Sequence, residues 1–105
     1  MLHIYNKKCY DQPITSVERM SRYVGDHRRE LALLSKCIDS FTRMRDDAVA
    51  KLSTASESEV GPLLEIVKHC DERIRTLSPI AADVADSLDE AEKRLEEMKA
   101  EILRN

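Results

Sequence analysis

Residues 60–102 read VGPLLEIVKHCDERIRTLSPIAADVADSLDEAEKRLEEMKAEI. Within them Val60, Leu63, Val67, Cys70, Ile74, Leu77, Ala81, Val84, Leu88, Ala91, Leu95, Met98 and Ile102 recur at alternating spacings of three and four. Every one of these positions is apolar. A 3,4 spacing gathers the side chains into one narrow stripe of an α-helix, too narrow to be wrapped by a globular core but suited to packing along a second helix. The stretch therefore predicts a long helix that grips another helix.

The first candidate for that second helix lies upstream. Val17, Met20, Val24, His27, Leu31, Leu34, Ile38, Phe41, Arg45, Ala48 and Leu52 repeat the same period, interrupted only by His27 and Arg45. Between the stripes, Ser53-Thr-Ala-Ser-Glu-Ser-Glu59 is polar and short, which predicts a reversal and an antiparallel hairpin. The expected register sets Leu52 near Leu63, Arg45 near Cys70, Ile38 near Leu77, Leu31 near Val84 and Val24 near Ala91. Charge favours it: Glu18 to Arg45 is rich in Lys and Arg, whereas Asp83 to Glu101 is rich in acids. Mid-hairpin seam residues such as Leu34 and Leu77 are expected to be the most buried, and Leu103, off the seam, the least.

Composition fits an all-α chain. Of 105 residues 35% are charged, with two Gly, three Pro, one Phe, three Tyr and no Trp, the bias of long helices in a single domain. Residues 1–13 have no helical period and read as an irregular arm before a coiled-coil domain at 14–105. Thr15-Ser-Val-Glu18 resembles a capping box that would start the first helix near Ser16. The second start falls between 57 and 62, with Ser56-Glu-Ser-Glu59 as one box and Gly61-Pro62 as the rival. Ser78-Pro79 predicts either a kink in one long helix, at a cost of about 3 kcal/mol, or a break that would give a three-helix bundle. The unbroken seam favours the kink.

Function classes are narrowed by what the sequence lacks. It has no phosphate-binding loop, no G-x-G-x-x-G and no G-x-S-x-G, so no enzyme, cofactor or metal chemistry is expected. His69-Cys70 points to two helix faces, with Cys70 on the seam as a structural residue. The three cysteines, Cys9, Cys37 and Cys70, form no C-x-x-C pair and suit a reducing compartment. The N-terminus lacks the apolar run of a signal peptide, and no stretch approaches the roughly 20 apolar residues of a membrane span. A cytoplasmic protein is expected.

Polar residues then carry the functional reading. His27 on the seam is expected to snorkel or to bond a carboxylate such as Glu92, with a pH-sensitive weak point as the alternative, and Arg45 to pair with Asp71 and fix the register. The net charge of −3 and the scarcity of aromatics argue against a nucleic-acid role for Arg19, Arg22, Arg28 and Arg29. These arginines on the first helix, with Asp83, Asp86, Asp89 and Glu90 on the second, are instead expected to form a protein-binding face.

The order Ile14-x-x-Val17-Glu-Arg19-Met20, then Arg28-Arg29-Glu30, a polar turn, and Glu72-Arg73-Ile74 followed closely by Pro79 resembles tubulin-binding cofactor A. That family consists of small helical-bundle chaperones with a V-x-R-L opening to the first helix and a proline kink in the second. The resemblance implies capture of β-tubulin by helical surfaces, without nucleotide or catalysis, and a cytoskeletal role. The competing expectation is a small structural subunit of a larger coiled-coil assembly, such as a tether, a kinetochore-like complex or a secretion apparatus. In that case the stripes would be shared in a homodimer or hetero-oligomer.

Overall fold

The computed structural model describes residues 13–104, with side chains from Ser16 onward; the arm at 1–12, including Cys9, lies outside the described residues. Two long helices, α1 (Pro13–Leu52) and α2 (Glu57–Arg104), pack as an all-α hairpin. Every predicted seam residue on both helices is buried or half-buried, while the residues between them are almost all exposed. The 3,4 spacing therefore selects the packing face along the whole of both elements.

The helix ends follow from local chemistry. α1 begins at Pro13, upstream of the expected start at Ser16. Proline at a first helical position forfeits an N–H that would be unsatisfied anyway, so Pro13 starts the helix and Thr15 falls inside the first turn rather than capping it. At the other end the Thr54 and Ala55 amides donate to the carbonyls of Lys51 (3.2 Å) and Leu52 (3.4 Å), and Ser53 Oγ donates to Ala50 O (2.9 Å). These bonds satisfy terminal carbonyls that no helical amide can reach.

The reversal is tighter than the stretch 53–59 suggested, because Glu57 to Glu59 already belong to α2. Ser56 is its cap. The Ser56 amide (2.9 Å) and hydroxyl (2.7 Å) both donate to Glu59 Oε1, and the Glu59 amide donates back to the Ser56 carbonyl (2.9 Å). This reciprocal closure decides for the Ser56 box over the Gly61-Pro62 start. The two hydrogen bonds from Ser56, side chain first and backbone second, hold the Glu59 carboxyl below its usual pKa.

α2 continues without a break through Pro62 and Pro79, so the three-helix alternative does not occur. Proline cannot donate to the carbonyl four residues back, which for Pro79 is Arg75. One residue earlier, the Ser78 hydroxyl donates to Ile74 O at 2.7 Å, as the Thr76 hydroxyl does to Glu72 O at 2.9 Å. Pro79 is exposed and occupies the face turned away from the seam, where its ring meets no partner helix.

Packing divides the described residues into two compact units, 13–29 with 85–104, and Glu30–Val84. Each takes a segment from both helices. In the first, Val24, Leu88, Ala91 and Leu95 are buried. In the second, which holds the turn, only Ala48, Cys70 and Val84 are. Its larger seam residues, Leu31, Leu34, Ile38, Ile74 and Leu77 among them, remain half-buried. A layer of two helices covers each seam from one side only, and in this unit small side chains disappear into it while Leu and Ile protrude at its edges. The expectation that Leu34 and Leu77 are the most buried positions is corrected accordingly.

Candidate protein-binding surface

With the seam consumed by the hairpin, each helix offers three other faces: a pole opposite the seam, and two flanks. In the turn-containing unit the register is fixed by Arg45, a seam residue of α1. Its Nη1 donates to Asp71 Oδ1 on α2 at 3.3 Å, and its Nε and Nη2 reach Asp46 Oδ1 at 3.3 and 3.2 Å. Asp71 first and Asp46 second raise the guanidinium pKa further above its ordinary value. On the neighbouring flank the Phe41 ring lies edge-on to His69 at 5.9 Å, with the Arg73 guanidinium 5.8 Å from its centroid. The predicted Arg45–Asp71 pair is thus present, and Cys70 beside it is fully buried.

In the other unit the arginines go to different places. Arg28 reaches across to Glu92 on α2, its Nε donating at 3.2 Å and its Nη2 making a second bond to the same oxygen. Glu92 is therefore taken by Arg28 and not by His27. His27 instead stacks on Tyr23, ring centroids 4.0 Å apart, with Nδ1 3.0 Å from the Tyr23 carbonyl. An imidazole one turn along the helix finds that carbonyl without having to cross to α2. Arg29 pairs with Asp26 on its own helix.

The remaining candidates divide likewise. Arg19 and Glu90 line one groove of this unit, about 880 Å³, floored by Met20, Tyr23, Ala91 and Met98 and rimmed by Lys93, Arg94 and Glu97. A smaller one, about 440 Å³, lies over Val24 and Leu95 beside the Arg28–Glu92 bridge. Arg22, Arg29 and Asp86 point from the poles, and Asp89 is bonded to Lys93 at 3.3 Å. Asp83 belongs to the turn-containing unit. All eight nominated side chains are exposed, but they are spread over several faces rather than joined in one. Arg22, Asp83, Asp86 and Glu90 make no ion pair with a described residue.

One signal in the sequence had more to give than the arginine cluster near the start of α1. Arg22, Arg29, Lys36 and Arg43 are spaced by seven and so share one heptad position of α1, opposite its seam; Glu65, Glu72 and Asp86 share the equivalent position of α2. Among the described residues, no group of three His, Cys, Asp or Glu could hold a metal ion, and no helix is long and apolar enough to cross a membrane. No protein-family model, curated protein or solved structure matches this chain.

Proposed function

We propose that the hairpin is a non-catalytic protein-binding module whose exposed helical faces capture an acidic protein surface. The observation that carries this reading is Arg22: an exposed cation on the pole of α1, in line with Arg29 and with no carboxylate of the described residues neutralising it. A charge that the fold leaves unmatched is available to a partner, and charge of this kind acts mainly on the rate of encounter. The resemblance to tubulin-binding cofactor A makes β-tubulin the specific candidate, and a chaperone that takes up and releases it the specific role, in the cytoplasm.

A second reading is favoured by a different feature, the apolar side chains exposed beside the seam, Leu33, Met44, Ile66 and Ile80 among them. A small structural subunit of a larger coiled-coil assembly would cover such side chains permanently. The two readings differ in reversibility and in salt response.

The test is titration of purified tubulin with the wild-type chain and with the double reversal Arg22→Glu, Arg29→Glu at low and physiological salt, beside circular dichroism. The expected result is unchanged helicity and weaker association, the loss falling on the association rate. Undiminished capture by the double reversal rejects the basic pole as the binding surface. No capture by the wild-type chain at any salt removes the tubulin assignment.

A further inference from the structure

The turn-containing unit, Glu30–Val84, is unevenly finished. Only Ala48, Cys70 and Val84 are buried in it, yet on one flank of its hairpin Leu33 (64% exposed), Met44 (50%), Ile66 (38%) and Ile80 (45%) stand out of the surface. These four come from both helices and from the side on which His69 and Arg73 meet Phe41. The opposite flank carries Val49 and Leu64 among small and charged residues. An apolar strip along one side of a two-helix layer is a face prepared for more helices.

The charges at its edges say which helices. Lys36 and Arg43 stand on the α1 pole at one edge of the flank, Glu65 and Glu72 on the α2 pole at the other. A surface with a basic border, an apolar middle and an acidic border is complementary to itself when turned by half a revolution, the condition an isologous contact imposes. We propose that this flank binds a second copy of the same chain, giving a four-helix bundle.

The axis of that pair follows from the charges as well. A twofold perpendicular to the helices would lay α1 on the partner's α1 and the basic row on the basic row. A twofold parallel to them lays α1 on the partner's α2 and leaves every height along the helices unchanged. The register that sets Arg45 beside Asp71 puts Arg43 about level with Glu72, and Leu33 near the level of Ile80. In the dimer, Arg43 of one copy therefore lies beside Glu72 of the other, and Leu33 against Ile80. Asp47, on the same flank of α1 and paired there with Lys51, lies about one turn from the level of the other copy's Arg73. Every neighbouring pair of helices is then antiparallel, an arrangement common in helical bundles.

The test is the mass of the full chain in solution, by light scattering and sedimentation over a range of concentrations, with Ile80→Asp, Arg43→Glu, Glu72→Arg and the charge-swapped double variant. The wild-type chain is expected at twice its 12.0 kDa. Ile80→Asp is expected to give a monomer of unchanged helicity; should it misfold, Leu33→Glu, at the most exposed of the four positions, replaces it. Each single reversal is expected to weaken the dimer roughly tenfold, and the double swap to recover most of that loss. A monomeric wild-type chain at all concentrations overturns the proposal, as does a dimer indifferent to Ile80→Asp and Leu33→Glu. Single reversals that the swap fails to rescue overturn the axis and with it the charge argument. A flank covered only when a different protein is added also counts against it.

Discussion

Arg45 on α1 and Asp71 on α2 meet at 3.3 Å immediately beside Cys70, the most completely buried side chain of the described residues. A seam position held by arginine replaces packing by an ion pair. At 33% and 42% side-chain exposure the pair is partly screened by water, so its contribution to stability is small. What it supplies is position: a one-turn slip of the helices would leave the guanidinium against apolar neighbours.

Replacing that cation by an apolar side chain is therefore expected to raise stability while loosening register. Arg45→Leu should increase the unfolding free energy modestly. Asp71→Ala in the wild-type background should lower it slightly. Denaturant titration of both variants checks the sign, and an Arg45→Leu chain less stable than wild type contradicts it.

Burial ranks the seam leucines. Leu88 and Leu95 are buried at 8% exposure each, Leu34 and Leu77 are half-buried, and Leu103 is 87% exposed. Truncation to alanine is expected to cost about 2–4 kcal/mol at Leu88 or Leu95. The cost should be smaller at Leu34 and Leu77, and nearly nil at Leu103. Equal losses at all five would contradict the packing.

The cap of α2 is pH-sensitive on the acid side. Because the Ser56 bonds depress the folded-state pKa of Glu59 below its ordinary 4.5, its contribution is fully present above that value and is lost as pH falls through the lower folded-state value. Glu59→Gln should flatten that part of the acid unfolding profile. Ser56→Ala should remove the hydroxyl bond to the carboxylate, leave the bond from the backbone amide, and cost about 1 kcal/mol at neutral pH.

Pro79 is exposed and interrupts the hydrogen-bond ladder of α2. Pro79→Ala restores an amide for the Arg75 carbonyl and is expected to raise the melting temperature, by an equivalent of up to about 3 kcal/mol. A lowered melting temperature would mean that the proline's geometry is needed by the packing around it.

The seam itself was legible from spacing alone, since residues from Val17 to Leu52 and from Val60 to Ile102 chosen by period all lie on the covered side. Period does not tell how deep each one sits. Depth depends on side-chain size and on what crosses from the other helix, so Ala48 and Cys70 are buried where Leu34 and Leu77 are not. Partner choice was similarly out of reach: Arg28 and His27 are adjacent in sequence, and only their placement on the helix decides that the guanidinium takes Glu92. The exposed flank was readable in principle. Met44, Ile66 and Ile80 fall at one heptad position, directly beside the seam, but the stronger seam period masked it.

The two described thiols differ in a way that turns the chain into its own stopwatch. Cys37 faces solvent and Cys70 is sealed between the helices. An alkylating reagent therefore has immediate access to one and must wait for the helices to part before it reaches the other. Under conditions where closing is faster than modification, the lag at Cys70 relative to Cys37 reads out the fraction of time that seam is open, in native buffer and with both thiols native to the chain.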